Sequence, residues 1–177
     1  NMIAIELPFL LREHNFAKYR TAADLGASSG CLLQGIMFAR PDIYGFFFEV
    51  SNLLLKKHIT AQEIISRSQI REGSLFGDLP VHADLYILRH VLRNWGKEAC
   101  EKILSNIHQH MHPRSSLMII EHLIDEKERW RPNSVNSKQM ELFALMDVER
   151  ERTDQDYASL SNGLFTLIER QDLPSEA

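Results

Sequence analysis

The sequence predicts an α/β fold, in which a mostly parallel sheet carries helices on both faces. Short β-rich runs alternate with longer helical patterns along the chain, which is typical of βα units. Several of the β-rich runs are continuously apolar, as expected for strands that are covered on both faces. A glycine-containing turn follows the first run. The predicted strands are residues 21–25, 44–50, 70–75, 84–89, 117–121 and 164–169.

Helical patterns lie between the predicted strands and complete the βα units. Residues 1–20 read as a lead-in helix or linker, and residues 21–177 as the domain that follows it. Thr153, followed three residues later by Asp156, predicts a capped helix start, because the threonine hydroxyl can accept a bond from the backbone N–H of Asp156. The predicted helices are residues 32–39, 52–66, 97–110, 137–146 and 154–161.

Composition and charge narrow the classes of function. The 177 residues fit one domain, and 44% hydrophobic with 25% charged residues is typical of a soluble globular protein. The net charge is −4 and the basic residues are scattered, so nucleic acid is not an expected partner. Since no apolar run reaches the length of a membrane span and no leader pattern opens the chain, we expect no membrane partner and a cytoplasmic location. The two cysteines predict neither disulfides nor a zinc site.

A candidate cofactor site lies where the first predicted strand ends. Residues 24–30 read Asp-Leu-Gly-Ala-Ser-Ser-Gly, a turn that lets the backbone approach a ligand and aims free N–H groups at its polar end. Glu49 ends the second strand about 20 residues later, where a carboxylate accepts hydrogen bonds from ribose hydroxyls. The alternatives are a plain turn and a solvated glutamate. Spacing alone does not separate NAD from S-adenosylmethionine (SAM).

Further along, a set of segments matches one family: residues 83–88, 91–92, 95, 119–121 and 123–126 and the Glu-Arg-Thr motif at 151–153. On these segments the sequence resembles the hydroxyindole and plant-type O-methyltransferases. The resemblance implies the Rossmann-like SAM-methyltransferase fold and SAM as cofactor. It also implies a small, aromatic methyl acceptor. An N-terminal helical domain that dimerises the family's members and roofs the substrate pocket has no counterpart here, so a homodimer is expected only for a longer protein.

The resemblance also assigns the cofactor contacts. The glycine turn would lie along the methionine part of SAM, and Glu49 would hold the ribose. Ser74 and Leu75 would lie beside adenine. Arg89 matches a family lysine near the cofactor. Two departures weaken the pattern: the family's three successive glycines are Gly26-Ala27-Ser28 here, and Glu49 replaces an aspartate. The candidate cofactor-binding residues are Asp24, Gly26, Ser28, Gly30, Glu49, Ser74, Leu75 and Arg89.

The candidate catalytic residues depart further from the family. Its members use a His-Asp-Trp sequence whose histidine is the base, whereas this chain has Arg93-Asn94-Trp95, and a guanidinium cannot accept the acceptor's proton. Glu121 and Glu151 match two carboxylates that orient the family's histidine, although each is also consistent with an ordinary structural or surface charge. His90, three residues before Arg93, is the candidate for a replacement base.

Three interpretations remain open for the function. The chain is a methyltransferase in which His90 or the acceptor's own acidity replaces the lost base. Alternatively, it retains SAM while Arg93 polarises a carbonyl in a dehydratase-like or pericyclase-like reaction, because fixed donors stabilise developing negative charge. Finally, it is a catalytically silent SAM-binding homologue, as the replacement of a family glycine pair by Val148 and Glu149 also suggests.

Other patterns have structural explanations. His108, His110 and His112 suggest a metal site, but their place at the predicted end of a helix favours interaction with the helix dipole, so no metal is expected. The three phenylalanines at 46–48 are predicted to lie in the core rather than to stack on bases. Candidates for an apolar acceptor pocket are Met140, Leu142, Phe143 and Met146.

Overall fold

The computed structural model describes residues 2–50, 53–124 and 152–172. In these residues five parallel strands form one sheet in the order β3-β2-β1-β4-β5. The chain moves outward from β1 to β3 and then crosses to β4 on the other side of β1, so the order reverses between β1 and β4. Ligands of open α/β sheets bind at such a reversal, beyond the carboxyl ends of the strands. The strands are β1 Thr21–Leu25, β2 Tyr44–Glu49, β3 Ser68–Glu72, β4 Leu85–Arg89 and β5 Ser116–Ile120.

Helices cover both faces of this sheet, so the predicted α/β class is confirmed. None of the helices in the described ranges is long and apolar enough to cross a membrane. The Thr153 cap is confirmed, because its hydroxyl accepts from the N–H of Asp156 at 3.2 Å and the Asp156 carboxylate accepts from the N–H of Thr153 at 2.9 Å. The helices are α1 Met2–Glu13, α2 Cys31–Ala39, α3 Leu53–His58, α4 Gln62–Ile65, α5 Lys97–His110 and α6 Asp154–Leu160, with short 3₁₀ helices at Phe16–Lys18 and Leu92–Asn94.

The core lies in two layers. On one face, Leu33 and Ile36 of α2 pack against Phe47 and Ile87 of the sheet. On the other, the apolar side of α5 packs against the opposite side of the strands, and the cluster includes Tyr86, Leu88, Ile103 and Leu104.

Helix α1 packs closely on α2. A Cβ at Gly35 would lie 2.2 Å from Leu7 Cδ2, so the absence of a side chain at Gly35 is what admits α1. The lead-in residues therefore form part of the packed structure, and Glu6 of α1 reaches Arg89 at the end of β4.

The structure corrects two predicted elements. The predicted strand 164–169 is wrong: no described residue pairs with this segment, Leu167 and Ile168 are exposed, and Gln171 instead donates to the carbonyl of Glu13 at 3.2 Å. The predicted helix 52–66 is also wrong as one element, because Ala61 is extended with ψ 120° and α3 and α4 form separately around it.

Other boundaries shift by smaller amounts. β3 begins and ends before the predicted 70–75, since Gly73 lies against the Phe48 ring, where a Cβ would meet it at 2.8 Å. The predicted helix 137–146 lies outside the described residues.

Candidate functional site

The turn after β1 lies at the carboxyl edge of the sheet, beside the end of β2. Gly26, Ser28 and Gly30 all have positive φ, at 77°, 52° and 70°. Ser28 therefore adopts the left-handed conformation that costs a residue with a Cβ about 1 to 2 kcal/mol. At Gly26 a Cβ would lie 2.8 Å from Val91 Cγ2, so a side chain is excluded there by contact as well as by conformation.

Most of the N–H groups of this turn are bonded within the protein. Gly26 and Ala27 donate to the carbonyl of Phe48 at 2.9 and 3.2 Å, and Gly30 donates to Ala27 at 2.7 Å. Ser28 donates to Glu49 Oε2 at 2.9 Å. The expectation that the turn aims free N–H groups at a ligand is therefore wrong for these four residues.

Glu49 is oriented by the backbone on both sides of it. Its Oε2 accepts from Ser28, and its Oε1 accepts from the N–H of Val50 at 2.9 Å. Because each carboxylate oxygen has two acceptor positions, the group retains capacity to accept hydroxyl donors.

Asp24 is a buried acid at the base of the turn. Its exposed fraction is 3%, and no described residue hydrogen-bonds its carboxylate. Burial raises the pKa of Asp24 from 3.8 to about 7, the positive charge of Arg89 opposes that rise, and the charge of Glu49 adds to it. A buried carboxyl without a close partner favours a cationic group beside it.

Three of the candidate catalytic residues lie together at the ends of β4 and β5. Glu121, whose side chain is 2% exposed, accepts through Oε1 from the N–H groups of Leu92 and Arg93 at 2.8 and 3.3 Å. Its Oε2 lies 3.5 Å from His90 Nδ1. Arg93 belongs to the 3₁₀ helix Leu92–Asn94. Glu151 lies outside the described residues.

An aromatic pair stands next to Ser74 and Leu75 in the loop after β3. Ser74 Oγ accepts from the N–H of Phe76 at 3.2 Å, and Leu75 is buried. The rings of Phe76 and Trp95 meet edge to face with centroids 4.8 Å apart, and both side chains are partly exposed. Sequence reasoning did not identify Phe76, although a phenylalanine directly after the two predicted adenine neighbours was an available signal.

Arg152 supports the loop that carries Arg93. It is buried, its Nη1 donates to the carbonyl of Leu92 at 2.8 Å, and its Nη2 donates to the carbonyl of Trp95. The Glu-Arg-Thr motif includes this arginine, but the sequence did not indicate its role.

The remaining candidates are structural where they are described. His108 and His110 lie in the last turn of α5, and His110 Nδ1 is 2.8 Å from the carbonyl of Asn106. Phe47 and Phe48 are buried in the core. Within the described ranges no group of three or more potential metal ligands occurs. The four pocket candidates from Met140 to Met146 lie outside the described residues.

The sheet order and the turn define a Rossmann-like fold, and comparison with known proteins identifies it as the SAM-methyltransferase fold and identifies the family. Residues 1–164 match the family model of the O-methyltransferase domain, so the chain belongs to that family, and the predicted resemblance is confirmed.

Individual relatives agree with this assignment. The chain is 30% identical to O-methyltransferase SfmM3 of Streptomyces lavendulae over 98% of its own length and 54% of the relative's. It is 28% identical to acetylserotonin O-methyltransferase of Bos taurus, over 85% of this chain and 44% of that protein. The crystal structure of human N-acetylserotonin methyltransferase in complex with SAM matches with a TM-score of 0.76 at 25% identity, covering 92% of this chain and 46% of that one. The chain thus spans about half the length of these relatives.

Proposed function

We propose that this chain is the SAM-binding part of a methyltransferase that acts on a small molecule. The observation that carries the proposal is the pair of carboxylates, Asp24 and Glu49, at a turn in which the N–H groups of Gly26, Ala27, Ser28 and Gly30 are already bonded. A pyrophosphate at this turn needs free N–H donors and would be repelled by the buried carboxylate of Asp24. SAM instead offers ribose hydroxyls and cationic groups, so the structure favours SAM over NAD.

Each part of SAM has suitable residues at this edge. Glu49 would accept the ribose hydroxyls, and the buried Asp24 would pair with the ammonium group. The partly exposed rings of Phe76 and Trp95, beside Ser74 and Leu75, would pack against adenine. When bound, SAM supplies a methyl group activated by the adjacent sulfonium.

Proton removal from the acceptor is the step that the replacement of the family's histidine by Arg93 affects. Arg93 cannot accept a proton, and His90 is held between two carboxylates at 3.5 and 3.6 Å. We therefore propose methylation of acceptors acidic enough to need little base, with His90, three residues before Arg93, as the candidate replacement base. The second candidate function retains SAM without methylation, as a dehydratase-like or pericyclase-like enzyme or a silent binding protein. The guanidinium of Arg93 favours it.

The acceptor class, the oligomeric state and the location are proposed from the resemblance to the family and from the charge of the chain. We propose an apolar, aromatic acceptor, with residues 1–20 leading in from a dimerisation domain that roofs the pocket of a longer, homodimeric protein. We further propose a cytoplasmic location without nucleic acid or membrane partners, on the basis of the acidic net charge and the scattered basic residues.

Calorimetry tests the cofactor assignment directly. Titration of SAM and S-adenosylhomocysteine into the purified protein should give saturable binding of both. The exposed Cys31, at the start of α2 beside the turn, should also react more slowly with a thiol reagent when either ligand is present, whereas the buried Cys100 should stay unreactive in both states. No heat and no thermal shift at millimolar ligand would contradict SAM binding. A panel of phenols then separates methyl transfer from binding alone.

Glu49 is expected to contribute strongly to affinity. Glu49→Ala should weaken SAM binding by about 1.5 to 3 kcal/mol, because it removes hydrogen bonds to a charged acceptor. Glu63→Ala, at an exposed position of α4, is the matched control and should bind as the unmodified protein does. An unchanged dissociation constant in a folded Glu49→Ala variant would remove this residue from the site.

A further inference from the structure

Glu6 of α1 is a buried carboxylate that the sequence analysis did not identify. It is 5% exposed. Its Oε2 accepts from Arg89 Nε at 2.8 Å, and its Oε1 lies 3.6 Å from His90 Nε2. A carboxylate is rarely buried unless it is paired, and here consecutive residues of one segment supply both partners.

The backbone at the end of β4 makes this double contact possible. Consecutive side chains of a strand point to opposite faces, so Arg89 and His90 would not normally reach the same group. His90 leaves the strand with φ 54°, which breaks the alternation. Its N–H donates to the carbonyl of Ile120 at 2.9 Å, and its carbonyl accepts from Asn94 Nδ2 at 3.1 Å, so the surrounding segments hold the conformation.

The contact with Glu6 uses only one part of the Arg89 guanidinium. Nε is occupied by Glu6, whereas no described residue accepts from the two Nη atoms, and the side chain is 18% exposed. Arg89 ends β4 beside β1, at the reversal of strand order. Burial raises the pKa of Asp24, and the positive charge of Arg89 opposes that rise. The two Nη atoms of an arginine form a fork that matches a carboxylate.

We propose that Glu6 is a positioning residue for the amino-acid end of the cofactor: it holds Arg89 through Nε and so orients the Nη fork towards the ligand's carboxylate. Asp24 and Arg89 together then present opposite charges to the ammonium and carboxylate of one α-amino acid group. This assignment rests on the proposed SAM site. Through Arg89, α1, which precedes the sheet, then affects cofactor affinity.

Two ligands that differ only at this end test the assignment. S-adenosylhomocysteine carries the amino-acid group, and 5′-methylthioadenosine does not. Glu6→Gln should weaken S-adenosylhomocysteine binding about tenfold, the usual effect of losing one charge-assisted contact, and leave methylthioadenosine binding within about twofold. Glu13→Gln, an exposed position on the same helix that pairs with Arg12, is the matched control and should change neither affinity.

A second variant removes the fork itself. Arg89→Met should show the same selective loss, and adding Glu6→Gln to it should cost no further affinity, because residues that act through one another are not additive. Equal weakening of both ligands in Glu6→Gln would indicate general loosening and overturn the assignment, as would unchanged S-adenosylhomocysteine binding. Failure of the unmodified protein to bind either ligand is a distinct result, which contradicts the proposed function and this assignment together.

Discussion

Replacement of Arg93 by His, with Asn94→Asp beside it, in a longer protein that includes the domain roofing the pocket, is expected to raise methylation of a suitable phenol by about 10² to 10⁴-fold, the usual contribution of a general base. The backbone N–H of Arg93 is bound by Glu121, so the position is already fixed next to the buried carboxylate that would orient an imidazole. The unmodified protein should methylate the same phenols slowly or not at all. Transfer from radiolabelled SAM measures both rates.

The single variants decide which residue matters. Asn94→Asp alone is the matched control and should leave the rate close to that of the unmodified protein, since Arg93 still occupies the position of the family's imidazole base. Strong methylation by the unmodified protein that persists in Arg93→Ala would show that Arg93 is a bystander. His90→Gln would then be the variant expected to abolish transfer.

Asp24→Asn is expected to stabilise the fold at alkaline pH. Burial raises the pKa of Asp24 to about 7, so the native state retains a proton that the unfolded chain releases above pH 3.8. The native state therefore binds more protons in this window, and the free energy of unfolding falls as pH rises from about 4 to about 7. Asparagine does not titrate, so the variant should gain about 2 to 4 kcal/mol over the unmodified protein at pH 8 and little at pH 4.

Urea unfolding at several pH values measures this difference. Asp78→Asn, at an exposed position, is the control and should change the free energy of unfolding by less than about 0.5 kcal/mol. The Asp24→Asn variant should also bind SAM more weakly, because an amide cannot pair with an ammonium group. Equal stabilities of Asp24→Asn and the unmodified protein across the whole pH range would show that Asp24 is not a strained buried acid.

Local patterns predicted the elements whose limits are set locally. β1 and α5 have the predicted bounds, because an apolar run with clear breakers and a periodic helix with a glycine before it define their own ends. Residues 164–169 have the apolar composition of a strand, yet a strand exists only where a neighbour pairs with it. That condition is not local, and the sequence does not express it.

The candidate site also combines features that local sequence predicts with features that depend on tertiary packing. The carboxyl ends of parallel strands meet at one edge, so the adjacency of the Gly26 turn and Glu49 followed from topology and spacing. Other features of the site could not be predicted in this way. The contact between Glu6 and Arg89 joins residues 83 positions apart and depends on how α1 packs. The role of Arg152 and the raised pKa of Asp24 depend on burial. Charged residues give no sign in a sequence that they will be buried.

The hydrogen bonds inside the Gly26 turn affect how a ligand is received. Gly26, Ala27, Ser28 and Gly30 are tied to β2 and to each other before any ligand arrives, and Glu49 is held by two of the same kind of bond. Ordering one flexible side chain on association costs about 0.5 to 1.5 kcal/mol, and a preorganised carboxylate avoids that cost. Recognition at this edge should therefore proceed by rigid docking, with an association rate that does not depend on a prior rearrangement of the loop.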